Sequence, residues 1–376
     1  MSGALYVGTQ KVSPILVYPG IIPEGTTNVT ANGTYDVTEY ANVRVQVTDT
    51  RPSYIPWKTV STNFYSNDST QTSLDVDNAK YIGEGALAGA RCGVAGFTTL
   101  TMSSVERIYP FGMFAAFKGC SNLVIDANSS NFSRLQRVDQ DGMTFAFYDS
   151  GLTVANFPAL TYVEAAAFAY CFEDSNITSA SFPVLTEARY ETFTRAFGST
   201  NIQTISFPAL TTASEKAFFQ AFYDCDYLTT AAFPALTRIG DNGFDDAFAN
   251  SGITTISFPV LSKVENYGFY RTFWAALNLT SISFPSLVDI QESAFYNTFT
   301  NCSNLTSVSF PAVKAQSVDS ISDVHIRAFQ NMLYGCSGVT VHFPSNMQSV
   351  MSNWFDVLNG FGGTNTTVLF DLPASN

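Results

Sequence analysis

The sequence predicts a repeat solenoid of the α/β class, because one short motif returns at a nearly constant interval over most of the chain. A Phe-Pro pair closes the motif, and its Phe, which we call the landmark, recurs at steps of 25 or 26 residues. A period of roughly 20 to 50 residues is typical of solenoids and propellers. The landmarks are Phe157, Phe182, Phe207, Phe233, Phe258, Phe284 and Phe310.

Two further phenylalanine columns keep the same register. One Phe stands eleven residues after each of the first six landmarks, and another stands fifteen residues after it. These are Phe168, Phe193, Phe218, Phe244, Phe269 and Phe295, then Phe172, Phe197, Phe222, Phe248, Phe273 and Phe299. Weaker copies extend the pattern in both directions, if an insertion of eight residues after Phe310 is allowed. We therefore expect about ten repeats with a phenylalanine-rich core.

Each repeat is predicted to contain one strand, a turn and one short helix. In LTSISF, Leu279, Ile282 and Phe284 have the L-x-x-L-x-L spacing of a leucine-rich-repeat strand, and the proline that follows ends the strand. Phe295 and Phe299 are four residues apart, which is the spacing of one helical face. One strand per repeat excludes a propeller, whose blades need four. The strands should therefore stack into one parallel sheet.

The ends of the chain lack this period. Residues 1–50 are predicted to form a small β-rich module, since Asn32-Gly33 is a strong hairpin-turn signal and valines alternate with polar residues from Val43 to Val47. Residues 51–71, rich in Ser, Thr, Asn and Pro, are predicted to be a linker. The solenoid is assigned to residues 72–353 and a C-terminal cap to residues 354–376.

Composition excludes several classes of partner. The net charge is −13, whereas nucleic-acid binding needs clustered Lys and Arg, so we expect no nucleic-acid partner. No stretch of about 18 apolar residues occurs, so we expect no membrane insertion. The first twenty residues lack the pattern of a secretory signal, and we expect no export by that route.

The sequence contains no recognisable catalytic or metal-binding motif. Cys120, Cys225 and Cys302 occupy equivalent positions in their repeats, which indicates a column of small core residues and not a disulfide framework. His325 and His342 have no second ligand at metal-binding spacing. The adjacent carboxylates at 245 and 246 are interpreted as part of a solvated outer face. We therefore expect no enzyme, no metal and no cofactor.

The candidate binding residues are hydroxyl side chains on the predicted strands. In L-x-x-L-x-L, the residues one and three before the landmark point away from the core. These hydroxyls either bond along the sheet and keep it soluble, or form an uncharged face for a glycan or protein. The candidates are Thr204, Ser206, Thr230, Thr255, Ser257, Ser281, Ser283, Ser307 and Ser309.

Aromatic residues form a second candidate set. Tyr223 and Trp274 each lie sixteen residues after a landmark, just beyond the predicted helix. Aromatic faces stack on sugars and anchor protein partners. The alternative is that they shield the phenylalanine core.

Two segments resemble known families. FPALTRIGDNGFDDAF (233–248) and AFYNTFTNCSNLTSVSFP (294–311) resemble the BspA-like class of leucine-rich repeats, a likeness that covers residues 72–353. It implies an adhesive or recognition solenoid without an active site. LYVGTQKVSPILV and NGTYDVTEYANVRVQV resemble the amino-terminal ends of structural proteins from phages of gut bacteria, where such a module attaches a fibre or spike to the virion.

Together these features predict a phage virion protein (a tail fibre, head fibre or spike) whose solenoid recognises the bacterial host surface. Residues 1–50 would bind other virion proteins, and the protein would be made in the host cytoplasm and released by lysis. A homo-oligomer is left open. Two alternatives remain: a structural decoration that binds only virion subunits, and a bacterial surface adhesin of the BspA-like kind.

Overall fold

The computed structural model describes residues 6–7, 10–11, 59–60, 72–76, 79–90, 92–123, 131–314, 328–348 and 361–374. The chain divides into two compact units, residues 1–177 and 178–376. In each unit the repeats wind into stacked coils, so the architecture is a parallel β-solenoid. The predicted insertion, the Asn32-Gly33 turn, the alternating valines and His325 lie outside the described residues.

One coil of the second unit illustrates the three sides that every complete coil has. Thr204–Ser206 forms a three-residue strand just before the landmark Phe207, and we call the sheet of such strands sheet one. Thr212–Ala213 forms a two-residue strand of a second parallel sheet, sheet two. Residues 214–225 form the third side, a chain of tight turns that we call the turn side.

Sheet one of the second unit stacks equivalent positions in register. Thr204 pairs with Thr230 and Thr230 pairs with Thr255, while further along Ser281 pairs with Ser307 and Ser307 with Thr340. Thr255–Ser257 lies beside Ser281–Ser283. The strands are Ser179–Ser181, Thr204–Ser206, Thr230–Ala232, Thr255–Ser257, Ser281–Ser283, Ser307–Ser309, Thr340–Pro344 and Thr367–Leu372.

Sheet two was not predicted, since the sequence indicated one strand in each repeat. Its strands begin five residues after the landmark and bury every second residue, as Ile239 and Val264 do. In the second unit they are Glu187–Ala188, Thr212–Ala213, Arg238–Ile239, Lys263–Val264 and Asp289–Ile290. In the first unit they are Thr59–Val60, Tyr81–Ile82, Arg107–Ile108, Arg137–Val138 and Tyr162–Val163.

The remaining strands complete the first unit and its amino-terminal end. Ser73–Asp75 pairs in parallel with Thr99–Thr101, and Val154–Asn156 has the same three-residue length. Tyr6–Val7 and Gln10–Lys11 form an antiparallel pair within residues 1–50. Thr59–Val60, inside the predicted linker, pairs with Tyr81–Ile82, and Thr367–Leu372, inside the predicted cap, pairs with Thr340–Pro344.

The predicted short helices are wrong, because the described residues contain almost no helix beyond the 3-10 turn Ser345–Met347. The segment that carries the two later phenylalanines, Phe193 and Phe197 in one coil, turns every four residues. Each of these turns has one residue with left-handed backbone angles, as at Glu191, Arg195 and Ser199. Alternate N–H groups donate to the next coil: Phe193 to the carbonyl of Ala217 at 2.8 Å. Phenylalanines four apart therefore share a face without a helix.

The three phenylalanine columns form the core, as predicted. All nineteen of these side chains are buried. Within each column the rings stack from coil to coil: Phe207 and Phe233 have ring centroids 5.5 Å apart, and Phe222 and Phe248 have centroids 5.1 Å apart. Neighbouring columns meet edge to face, as Phe233 and Phe244 do at 5.2 Å. Within each unit, this core holds the three outer sides at a fixed spacing.

Candidate recognition surfaces

The predicted hydroxyl residues line the outward face of sheet one. Thr204, Ser206, Thr230, Thr255, Ser257, Ser281 and Ser283 are exposed, and Ser307 and Ser309 are half-buried. The parallel register brings them into rows, since each coil repeats the residue types of the coil before it. Their alternate residues, such as Ile205 and Ile256, point into the core. The face has hydroxyls but no Lys, Arg, Asp or Glu in the strands from Ser179 to Ser309.

A different set of hydroxyls stabilises the stack. These residues lie four before or four after the landmark, at the edges of the strands. Thr254 Oγ1 donates to the carbonyl of Thr229 at 2.9 Å, and Thr237 Oγ1 donates to the carbonyl of Thr211 at 2.9 Å. Equivalent bonds are made by Thr211, Thr229, Ser262 and Thr306. Each of these hydroxyls therefore links its coil to the preceding one.

The two interpretations of the face hydroxyls can now be separated. Among the described residues, Ser309 Oγ donates to Ser283 Oγ at 2.8 Å, and no other hydrogen bond involves the hydroxyls of the nine candidates. Bonding along the stack is thus the task of the edge hydroxyls, not of the face. Apart from the Ser309–Ser283 pair, the hydroxyl donors and acceptors of the face are unused within the described residues.

The aromatic candidates lie on the turn side. Both Tyr223 and Trp274 are half-buried and belong to the column sixteen residues after the landmark. Along successive coils this column reads Tyr223, Ala249, Trp274, Thr300 and, after the insertion, Tyr334. Large and small side chains thus alternate. Tyr334 was not predicted from the sequence. It lies 24 residues after Phe310, which becomes the same offset of sixteen when the eight inserted residues are subtracted.

A cleft of about 340 Å³ opens where Thr300 separates Trp274 from Tyr334. Arg271, Asn297 and Asn331 line it beside these three residues, and each lies thirteen residues after its own landmark, once the insertion is subtracted. The Arg271 guanidinium carbon is 5.1 Å from the Trp274 ring centroid, and its Nε is 3.2 Å from Asp246 Oδ1. Of these six residues, only Trp274 was predicted from the sequence.

The interpretation of residues 245 and 246 as a solvated face is wrong. Asp245 is 9% exposed and Asp246 is 6% exposed. Burial, and then the neighbouring Asp246, raise the pKa of Asp245 to about 7 against the pull of Arg271 and Lys216. Burial likewise raises the pKa of Asp246. Neither Asp245 Oδ1 nor Asp246 Oδ1 has a hydrogen-bond partner among the described residues.

The cysteines are free thiols in the described structure, and five of the six are buried. Those in the predicted column donate to the carbonyl of the preceding coil, as Cys225 Sγ does to Phe197 at 2.9 Å and Cys302 Sγ does to Phe273 at 2.9 Å. Burial raises the pKa of the Cys225 thiol to about 11. These thiols act as small core residues and are poorly suited to nucleophilic chemistry.

The described ranges contain neither a metal-binding cluster nor a membrane-spanning helix. These ranges contain no group of three or more His, Cys, Asp or Glu side chains that could hold a metal ion. His342 lies on the outward face of sheet one, with Nδ1 3.0 Å from both carboxylate oxygens of Asp371. None of the described helical segments has the length and apolarity to cross a membrane.

The family follows from the repeats. A model of the BspA type leucine-rich repeat region, in six copies, matches residues 97–220, 143–274, 194–311 and 219–360. These matches overlap and together cover more than half of the chain. The chain belongs to the BspA-type leucine-rich repeat family.

Two solved structures are similar to the BspA-type chain. A leucine-rich repeat protein from Bacteroides ovatus ATCC 8483 is 16% identical with a TM-score of 0.40, over 78% of this chain and 82% of that chain. A leucine-rich cell surface protein from Faecalibacterium prausnitzii A2-165 is 17% identical with a TM-score of 0.35, over 84% of this chain and 77% of that chain. No curated protein sequence matches the chain.

Proposed function

We propose that this BspA-type protein is a non-enzymatic recognition protein, which binds a glycan or protein of a bacterial surface through the outward face of sheet one. The observation that carries the proposal is the row of exposed hydroxyls, of which only Ser283 makes a hydrogen bond within the described structure. A hydroxyl both donates and accepts, so the rows can bind neutral polar groups without selecting for charge. Repetition along the stack makes weak contacts at each coil add up in one binding event.

The rigidity of the stack supports the same proposal. The face is preorganised by ladder bonds along the edge where its strands begin and by stacked phenylalanines beneath it, and further ladder bonds precede the strands of sheet two. A ligand that binds there does not have to order the backbone, and the entropic cost of association is smaller for that reason.

Binding of the full-length protein to intact gut bacteria and to a glycan array tests this proposal. Thr255→Lys places a long charged side chain in the hydroxyl row, and we expect it to weaken saturable binding at least about tenfold. Thr212→Lys is the matched control, since Thr212 lies in a strand of sheet two. Equal binding by both variants would exclude the sheet-one face. If the folded protein binds no cell and no glycan, a structural decoration becomes the better explanation.

We further propose that residues 1–50 attach the protein to a phage particle, where they bind other virion proteins. Support comes from the resemblance of residues 5–17 and 32–47 to virion-attachment ends. Display on a bacterial cell surface fits the repeat family equally well. Mass spectrometry of purified particles and of cell envelopes separates the two: recovery from particles supports the virion, and recovery from envelopes alone excludes it.

A further inference from the structure

We propose that the cleft between Trp274 and Tyr334 is a binding site for a neutral sugar ring. The site lies on the turn side, apart from the face of sheet one. It extends recognition to a second surface and does not depend on binding at the first. Trp274 and Tyr334 form its walls, Thr300 forms its base, and Arg271, Asn297 and Asn331 line its polar side.

The dimensions of the cleft fit a ring inserted between two aromatic walls. Trp274 and Tyr334 belong to coils separated by one intervening coil, which carries Thr300. Adjacent parallel strands are about 4.8 Å apart, so the walls rise from backbones about 10 Å apart. A ring between them can make van der Waals contact on both faces. The volume of about 340 Å³ is at the small end of ligand sites, which indicates one or two rings.

The chemistry of the walls favours a sugar over a purely apolar ligand. The C–H face of a sugar ring packs on an aromatic side chain, while hydroxyls project from its edge. Asn297 and Asn331 lie at equivalent positions of neighbouring coils, and each amide offers two donors and an acceptor to such hydroxyls. The Thr300 side chain is 7% exposed, and its hydroxyl has no partner in the described structure. A buried hydroxyl without a partner is costly, and rotation of the Thr300 side chain toward the cleft would let a ligand hydroxyl offset that cost.

The charges around the cleft favour a neutral ligand. Arg271 is the one charged residue of the lining, and its Nε is already paired with Asp246. An anionic ligand would have to compete with that carboxylate, and a cationic one would meet the guanidinium. A neutral hydroxyl can instead accept from the Arg271 N–H groups that Asp246 leaves unused.

The lining residues are held in place before any ligand arrives. Arg271, Asn297 and Asn331 all have left-handed backbone angles, with φ of 49°, 55° and 53°. Their N–H groups join the ladder between coils: Arg271 donates to the carbonyl of Tyr296 at 3.1 Å and Asn297 to that of Gln330 at 3.2 Å. The spacing of the polar side chains is therefore set by the backbone and not by the ligand.

Titration of the full-length protein with neutral disaccharides of glucose, galactose, mannose and N-acetylglucosamine tests the site, by saturation-transfer NMR and calorimetry. We expect at least one of them to bind, and Trp274→Ala and Tyr334→Ala each to weaken it at least about tenfold. Tyr227→Ala is the matched control, since Tyr227 is 62% exposed and Tyr334 is 58% exposed. Thr300→Val, which keeps the shape and removes the hydroxyl, should weaken binding a few-fold.

Three outcomes would overturn the proposal. The first is that none of these sugars binds at concentrations up to about 10 mM, which is high enough to detect weak binding at a single site. The second is binding that Trp274→Ala leaves unchanged. The third is binding of acidic sugars alone. Thr255→Lys, on sheet one, should leave sugar binding in the cleft unchanged. If that variant loses cell binding but still binds sugar in the cleft, the two sites are independent. A negative result at one site therefore does not exclude the other.

Discussion

The two sheets share one backbone geometry and present opposite surfaces. From Ser179 to Ser309, the face of sheet one shows uncharged hydroxyls, and among the described residues only Ser283 and Ser309 of the nine candidates hydrogen-bond, to one another. Sheet two instead shows charged side chains that form ion pairs. Arg238 and Lys263 are neighbours in register on sheet two, and Glu265 contacts both, with its Oε1 2.9 Å from Arg238 Nη2 and 3.4 Å from Lys263 Nζ. The charges of sheet two are therefore paired within the protein, whereas most hydroxyls on the face of sheet one have no hydrogen-bond partner among the described residues.

The first unit repeats the charge arrangement of sheet two. Arg107 and Arg137 are neighbours in register, and Asp139 accepts hydrogen bonds from both, with Arg107 Nη2 2.7 Å from Oδ2. Arg137 also donates to Glu164 at 2.6 Å. In both units the bridging acid follows a basic strand residue by two positions. A parallel stack places equivalent residues side by side. Like charges at such positions repel and need an acid between them, whereas hydroxyls at such positions do not repel.

Breaking the acid bridge of the first unit should have the largest effect on stability. Asp139 is buried and holds two arginines that are about one third exposed. Asp139→Asn should lower the free energy of unfolding by about 2–4 kcal/mol, since two guanidinium groups lose their common acceptor. Chemical denaturation measures this change.

Glu265→Gln is the comparison for Asp139→Asn, because Glu265 makes the same kind of bridge nearer to solvent. We expect a cost of at most about 1 kcal/mol there. Equal costs at the two positions would contradict the view that burial of Asp139 sets the size of the effect.

Replacing the buried Asp245 should raise the free energy of unfolding, whereas replacing Asp139 should lower it. Asp245 Oδ1 has no hydrogen-bond partner among the described residues, whereas Asp139 accepts from two arginines. The pKa of Asp245 is about 7 in the folded protein and near 3.8 when unfolded. Between these values the folded state binds the proton and the unfolded state does not, so the free energy of unfolding falls as the pH rises from about 4 to 7. Asp245→Asn should remove this loss and stabilise the protein by about 1–3 kcal/mol at pH 8.

The measurement is denaturation of wild type and Asp245→Asn at pH 5 and pH 8. The difference between the two proteins cancels the contributions of other carboxylates, while Asp246, Arg271 and Lys216 remain as the charges that face the site. A stabilisation that is the same at both pH values would mean that Asp245 does not titrate in this range.

The smallest effects should separate the two kinds of hydroxyl. Thr254→Val removes a ladder donor and should cost about 1 kcal/mol, because the carbonyl of Thr229 loses a partner. Thr255→Val, the next residue, removes a face hydroxyl without a partner in the described structure and should change stability by less than about 0.5 kcal/mol. Thermal melts of the two variants measure the contrast. Equal losses would mean that the face hydroxyls also stabilise the stack.

The sequence could predict the features that depend on the identity of a side chain at a fixed offset. The landmark column, the two later phenylalanine columns and the outward hydroxyls follow from periodicity alone. The helix was mispredicted because spacing by four is shared by a helix and by a turn that repeats every four residues. Five of the six residues seventeen after the first six landmarks were a counter-signal, because Asp174, Ser199, Asp224, Asn250 and Asn301 suit a left-handed turn better than a helix. The sixth, Ala275, is left-handed as well but carries no such signal.

The sequence by itself determined the period, the parallel stack, the family and the core, since each rests on residues that recur at one interval. The tertiary structure alone decided which Ser and Thr hydroxyls bond between coils, that Asp245 is buried, and that Thr300 opens a cleft between Trp274 and Tyr334. These outcomes depend on contacts between residues about 25 positions apart, or 34 across the insertion. Local sequence propensities do not predict such contacts, because the contacts form only when neighbouring coils stack on one another.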